Sequence, residues 1–325
     1  MKKVLGIGNA LVDIIIKLNN DHLLNDFYLP KGSMQLVDAV TATNIEKSCS
    51  ELSKSMASGG SSANTIHGLA RLGVTTGFIG SVGQDELGKF FQEDMVRAGI
   101  EPYLSFSDTE TGRAISLVST DSERTFATFL GAATDITEKN LRLASFQDYD
   151  FLHVEGYLAP LKNFVETAMK KAKQLNMQVS LDLASYNVVE SNLDFLQKIM
   201  HSYVDIVFAN EEEAKAYTGL EDSLESLHDL SRSVDIAVVK TGKKGSLVQH
   251  GHEVFTLGIT PANAIDTTGA GDLYASGFLY GLIQGLPLEQ CGNIGALLAA
   301  NVIEELGAKI SEDRWEKIKQ LLGVF

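Results

Sequence analysis

Residues 150–183 read DFLHVEGYLAPLKNFVETAMKKAKQLNMQVSLDL, and this stretch decides the fold class. Asp150 to Glu155 is a short apolar run closed by an acidic residue at each end, the pattern of a buried strand. Leu161, Phe164, Val165, Ala168, Met169, Ala172 and Leu175 then recur three and four apart, which predicts one face of an amphipathic helix. Met177 to Leu183 returns to a strand-like run. Strand, crossover helix and strand make a βαβ unit, whose strands lie parallel. Downstream, Asp205 to Ala209 and Asp235 to Lys240 repeat the run at spacings that leave room for a helix, and upstream Val4 to Ile7 and Thr76 to Val82 fit the same sheet. The expectation is an α/β fold: a doubly wound, mostly parallel sheet with helices on both faces.

Two stretches break the rhythm. Leu11 to Lys17 and Ser33 to Val37, then Gly112 to Ser119 and Arg124 to Leu130, read as strands joined without helices, the last pair bridged by a hairpin at Thr120 to Glu123. Strands that pair with each other predict a small β lid, formed from about residues 11–37 and 100–130. The 325 residues contain five prolines and no low-complexity linker, so the lid is expected within one continuous domain spanning 1–325.

Composition removes several classes of function. Lys and Arg number 27 against 42 Asp and Glu, a net charge of −15, and no basic stripe opposes that field; nucleic acid is excluded as a partner. No apolar run approaches the ~18 residues of a membrane span, and none of signal-peptide length precedes Asn9, so a cytoplasmic protein with no membrane partner is expected. Cys49 and Cys291 match no paired metal spacing and fall on apolar stripes, which makes them core residues.

Two glycine motifs are decoys. Gly6-Ile7-Gly8 would need a third glycine at position 11 to read a dinucleotide, and Leu11 stands there. Gly83-Gln84-Asp85-Glu86-Leu87-Gly88-Lys89 has phosphate-loop spacing, yet Phe90 replaces the Mg2+-binding hydroxyl and two carboxylates would sit inside the cradle. It reads instead as a strand end followed by a helix capped near Asp85.

The strongest signal is Asp266-Thr267-Thr268-Gly269-Ala270-Gly271-Asp272, running into an apolar helix-like stretch to Gln284. Small residues let successive amides converge at a helix N-terminus, an anion hole for a phosphoryl group, with Asp272 in the first turn beside it. A second cluster, Ser58-Gly59-Gly60-Ser61-Ser62-Ala63-Asn64, opens another helix; its glycines permit close approach of a ligand and Asn64 offers a donor and an acceptor to hydroxyls.

Together these clusters resemble the signatures of the ribokinase/PfkB family of small-molecule kinases, Ser58 to Gly83 the N-terminal one and Asp266 to Asp272 the C-terminal one. Asn210-Glu211-Glu212-Glu213 is similar to the family's Asn-x-x-Glu motif, and Lys240-Thr241-Gly242-Lys243-Lys244-Gly245 to its nucleotide-side glycine turn. The resemblance implies a ribokinase-like fold and Asp272 as catalytic base, with the Gly269, Ala270 and Gly271 amides as the anion hole. It further implies that Asp13, Gly59, Gly60 and Asn64 grip sugar hydroxyls and that Asn210, Lys240, Gly242 and Gly245 meet the nucleotide. Glu213 would order Mg2+ through water. ATP is the implied co-substrate, a monovalent cation a further candidate cofactor, and a sugar or nucleoside the acceptor, with a homodimer left open.

Within the family the N-terminal half looks most like the adenosine kinase branch, which would bring Arg124 down with the lid onto the transferring phosphate. Thr268 stands where animal members of that branch carry Asn, and Met34 where they have Gln; Tyr157 could stack on a purine. A free-sugar kinase is the alternative, a non-catalytic nucleotide-binding regulator a remoter one. Because Lys89 is read as helix surface, Lys89→Ala should leave turnover within about threefold in a coupled ADP-release assay; a loss of about a hundredfold would restore the phosphate-loop reading.

Overall fold

A computed structural model describes residues 2–121 and 123–324. In chain order its strands are β1 (Val4–Ile7), β2 (Leu11–Lys17), β3 (Met34–Leu36), β4 (Lys54–Gly59), β5 (Thr76–Gly83), β6 (Ile100–Ser107), β7 (Gly112–Val118) and β8 (Arg124–Phe129). There follow β9 (Phe151–Glu155), β10 (Gln178–Asp182), β11 (Ile206–Asn210), β12 (Ile236–Lys240), β13 (Ser246–His250) and β14 (Glu253–Leu257). Nine of them form one sheet in the order β14-β13-β12-β11-β10-β9-β1-β5-β6, parallel from β12 to β6 and antiparallel at the β13 and β14 edge. The other five form a second sheet, β3-β8-β7-β2-β4.

The central strands are buried on both faces because helices cover both. Val4, Phe78, Phe151, Phe208 and Val238 project into one core with the helices Ser61–Arg71 and Ala270–Ile283, where Phe208 meets Phe278 edge-on at 5.5 Å. Their neighbours Leu5, Ile79, Leu152, Val207 and Val239 project into the other, against Phe164, Met169 and Leu196. That alternation is the period of two a strand imposes. The helix forecast from its stripe runs Lys162–Gln174 with Phe164, Val165, Ala168, Met169 and Ala172 buried.

The small sheet differs from expectation in membership. Segment 100–107, expected to belong to the lid over 100–130, is instead an edge strand of the large sheet, paired with β5. In its place β4 joins the small sheet, antiparallel to β2. Its sequence, Lys-Ser-Met-Ala-Ser-Gly, carries no apolar alternation, so only the tertiary pairing reveals it. Nor do β2 and β3 pair: β2 lies between β7 and β4, and β3 pairs with β8. The β7–β8 antiparallel pair is as read, though Ser122 at its turn lies outside the described residues. Val12, Ile14, Ile16, Ile115 and Leu117 of the small sheet belong to the same hydrophobic cluster as Phe78 and Phe278, so the two sheets share a core.

The helix following Gly83 begins at Glu86, with the Asp85 carboxylate accepting from the Gly88 amide at 2.8 Å and from Thr111. Lys89 is 67% exposed on that helix. Cys49 and Cys291 are both buried. Among the described residues no helix is long and apolar enough to cross a membrane.

Candidate active site

In an open parallel sheet the ligand crevice lies beyond the carboxyl ends of the strands, where the chain order reverses. Here β1 separates β9 from β5, and the last residues of β9, β10, β11 and β12 are Glu155, Asp182, Asn210 and Lys240. Four largely buried strands thus each end in a polar group on one edge of the sheet. Above them stand two helix N-termini, Ser61–Arg71 and Ala270–Ile283.

Asp272 sits in the first turn of the second helix and joins it to the first. Its Oδ1 accepts from Ser61 Oγ at 2.7 Å, its Oδ2 from Asn64 Nδ2 at 2.9 Å, and its carbonyl from Thr65 Oγ1 at 3.1 Å. Burial raises this carboxyl to about 6 against the pull of those two donors, with nearby Asp182 adding to the rise. At the helix end Gly269 has φ +77°, and a Cβ there would strike Ala308. The Ala270 amide donates back to the Thr267 carbonyl at 3.2 Å. Among the described residues the Gly271 and Asp272 amides have no backbone acceptor, as is usual in the first turn of a helix, and such amides are suited to an anion.

Asp266 organises the loop before this helix. Oδ1 accepts from the Thr268 amide and hydroxyl at 3.0 and 2.8 Å; Oδ2 accepts from the Gly307 amide and from Arg124 Nη1, both at 2.6 Å. Arg124 belongs to β8, so its guanidinium already rests on the body of the protein, 8% exposed. Its buried Nε and Nη2 have no hydrogen-bond partner among the described residues.

Lys240 Nζ pairs with Asp182 at 2.9 Å, and a Cβ on Gly271 would come within 3.0 Å of it. The ammonium therefore stands against the anion site. Burial would lower this lysine, but Asp182 and Glu213 together hold it above the ordinary value. Next to Asp182, Ala184 adopts φ +67°, uncommon for a residue with a Cβ, secured by its amide donating to Asp182.

Asn210 and Glu213 form a reciprocal cap: Asn210 Oδ1 accepts from the Glu213 amide, and the Glu213 carboxylate accepts from the Asn210 amide and Nδ2 at 2.8 and 2.6 Å. Glu213 is 3% exposed, whereas Glu211 and Glu212 face solvent, so it is no part of a solvated acidic face. Burial lifts its carboxyl to about 7, opposed by Lys240.

On the other side Asp13 packs against Gly59, where a Cβ would fall 2.2 Å from its carboxylate; glycine is required for Asp13 to occupy the site. Gly60, φ +104°, turns the chain into the helix. Burial lifts Asp13 to about 6, Lys309 opposing and Asp272 reinforcing. Beyond Lys240 lies a cavity of about 450 Å3, walled by Gly242, Gly245, Ala264, Ala270, Ala299 and Ile303. Gly245, φ +101°, could not carry a Cβ against the Leu257 carbonyl.

The structure thus assembles the sequence-derived residues into one cleft: Asp13, Gly59, Gly60 and Asn64 on one side, Asp272 at the centre, Lys240, Gly242 and Gly245 on the other. Met34 is 51% exposed on the edge strand β3. Sequence reasoning missed Glu155, whose buried carboxylate accepts from the Asn9 amide and Nδ2 and the Ser62 amide at 2.7–2.9 Å. Burial pushes it to about 7 against those donors. It also missed Asp182 and Lys309. A charged residue closing an apolar strand was the available signal for the first two; Lys309 gave none.

Two helix N-termini meet here around the half-buried carboxylate of Asp272. The family model for pfkB carbohydrate kinases matches residues 32–315, and the chain belongs to that family, whose members phosphorylate hydroxyls of sugars or nucleosides. The solved structure of a probable sugar kinase from Rhizobium etli CFN 42 is similar at 33% identity and TM-score 0.89, covering 100% of this chain and 99% of that one. An adenosine kinase structure from Sinorhizobium meliloti is similar at 33% identity and TM-score 0.88, covering 98% and 99%. A ribokinase from Haemophilus influenzae is 27% identical over 92% of this chain and 94% of its own.

Asp266 and Arg124 are both almost fully buried, and removing one partner of such a pair leaves an uncompensated charge. Asp266→Ala should lower stability by about 3–5 kcal/mol in urea unfolding, with part recovered when Arg124→Met is added. A loss below about 1 kcal/mol would show that the pair does not hold the lid to the body.

Proposed function

We propose that this kinase transfers the γ-phosphoryl group of ATP to the primary hydroxyl of a ribosyl compound, adenosine first. The observation that carries the reading is the Ser61–Asp272–Asn64 clamp beside an open helix N-terminus, with Asp13 in the same cleft. The Asp13 carboxylate reads a vicinal diol by accepting two hydroxyl hydrogen bonds. Asp272 orients the attacking hydroxyl; its oxygen bonds to phosphorus, the bond to the β-phosphate oxygen breaks, and the proton passes to Asp272. The outward amides at Gly271 and Asp272, with Gly269 and Ala270 shaping the turn, and the Lys240 and Arg124 cations stabilise the charge that develops.

The small-residue cavity beside Gly242 and Gly245 takes the donor base. The cleft floor carries the carboxyls Asp13, Glu155, Asp182, Glu213 and Asp272 against Lys240 and Lys309, a deficit of positive charge that fits a donor bringing Mg2+. Among the described residues no cluster of three or more His, Cys, Asp or Glu could ligate an ion directly. Asn210 and Glu213 would therefore hold the ion's water shell, and the ion would supply charge neutralisation on the phosphates. The same deficit disfavours an acceptor that is itself anionic.

The adenosine assignment draws on the 33% likeness to the Sinorhizobium meliloti enzyme. Free ribose is the second reading, favoured by the likeness to a ribokinase. ADP release measured with adenosine, 2′-deoxyadenosine, ribose, fructose and fructose 6-phosphate separates them. Adenosine should give the highest kcat/KM, with 2′-deoxyadenosine at least tenfold lower because Asp13 loses a partner. Ribose above adenosine would overturn the nucleoside assignment, and equal turnover of the deoxy analogue would overturn the diol role.

Asp13 and Asp272 both act ionised and both titrate near 6. Below that pH each is protonated, so kcat/KM should fall with two protons, about a hundredfold per pH unit. Asp272→Asn should cut kcat by roughly 10²-fold or more with substrate binding largely kept, and its remaining acid limb should have a one-proton slope. Near-normal turnover in that variant would remove Asp272 from the chemistry.

A further inference from the structure

Lys309 lies in the loop that follows the helix Leu288–Val302, far in sequence from both glycine clusters, yet its Nζ donates to Asn64 Oδ1 at 3.2 Å. The same Asn64 amide donates through Nδ2 to Asp272 at 2.9 Å. The three side chains form one file running from ammonium to amide to carboxylate. We propose that Lys309 is a positioning residue of the phosphoryl-accepting site, locking the Asn64 amide in the orientation that clamps Asp272 and supplying the positive charge that offsets Asp13 and Asp272.

The locking argument is electrostatic. Reversing the Asn64 amide would turn its NH2 toward an ammonium and its carbonyl oxygen toward a carboxylate, replacing two attractions by two repulsions. Without the lysine only one of the two remains, and the amide is free to turn. Asn64 is half of the clamp on Asp272, so a loose amide is a loose base, and small displacements of a reacting group are costly to rate.

The charge argument rests on what surrounds Lys309. The acidic groups facing it are Asp13 from β2, Asp94 from the helix Glu86–Arg97 and Asp272. Asp94 is committed to the Ser58 amide at 3.0 Å and to Arg97. The basic groups nearby are Arg71 and His67, and burial, with the charges of Lys309 and Arg71, holds the His67 imidazole well below its ordinary value, hence neutral. Arg124, the other cation that favours ionised Asp13, is already paired with Asp266. Among the described residues no carboxylate pairs directly with Lys309, and Asn64 is the one hydrogen-bond partner of its ammonium. Burial lowers this lysine to about 8, with the three carboxylates opposing, so its charge is itself lost at mildly alkaline pH.

This inference rests on the kinase reading of the same site, and its test includes a measurement that needs no substrate. Lys309→Met keeps length and removes charge; Lys309→Arg keeps charge. With adenosine or ribose as acceptor, Lys309→Met should lower kcat/KM by about tenfold or more and move its acid limb to higher pH, since Asp13 loses a stabilising cation. Lys309→Arg should recover kcat/KM to within about threefold and carry the alkaline limb, near 8 in the parent chain, to higher pH. Equal acid limbs in the parent and Lys309→Met, or Lys309→Arg no better than Lys309→Met, would overturn the proposal. In the free protein, carboxyl carbon NMR titration of Asp13, assigned with Asp13→Asn, should show its midpoint raised in Lys309→Met. An unchanged midpoint overturns the charge role even if neither acceptor is turned over, while a raised midpoint without turnover supports it and faults the substrate assignment alone. Thermal unfolding of each variant identifies any that fails to fold, and Lys309→Gln then replaces Lys309→Met with the same expected outcomes.

Discussion

The buried pair of Asp266 and Arg124 is the contact on which the rest of the site depends. One carboxylate holds the Thr268 amide and hydroxyl, the Gly307 amide and a guanidinium from the small sheet. It therefore sets the approach of the loop to the helix Ala270–Ile283, ties that loop to the segment carrying Lys309, and seats β8 on the body. A buried charge pair contributes little net stability compared with apolar packing, but it tolerates few alternative geometries. The N-terminus of the helix Ala270–Ile283, with its clamped Asp272, and the small sheet inherit their relative positions from it.

A second constraint is the gathering of carboxyls at the strand ends. Asp13, Glu155, Glu213 and Asp272 are all raised by burial, and each rise is opposed: by the charge of Lys309 for Asp13, the Asn9 and Ser62 amides for Glu155, Lys240 and the Asn210 cap for Glu213, and Ser61 with Asn64 for Asp272. Such a cleft is strained electrostatically when empty and is relieved by cations. Under the proposed function, a donor nucleotide carrying a divalent ion would relieve it while delivering the phosphate, so that chemistry and donor binding would draw on the same imbalance.

Much of this was legible in the chain. Continuous apolar runs such as Phe151 to Glu155 and the stripe of Phe164, Val165, Ala168 and Met169 carry their periods in local sequence, and the parallel sheet follows from their alternation. The glycine clusters were readable because Gly59, Gly245 and Gly269 stand where any Cβ would strike a neighbour. Strand β4 was not legible, since its residues pack on no apolar period and it exists through its pairing with β2. Glu213 read as a residue that orders Mg2+ through water; its buried reciprocal cap with Asn210 appears only in the structure.

By itself the sequence determined the fold class, the family and the two helix ends that face each other, because hydrophobic period and backbone sterics are local properties written residue by residue. Only the tertiary structure decided which charges meet: Arg124 with Asp266, Lys240 with Asp182, Lys309 with Asn64 and, through it, Asp272. Those partners lie 58 to 245 residues apart along the chain. Electrostatic interaction depends on distance and burial in space, and neither is encoded in the spacing of residues along the backbone.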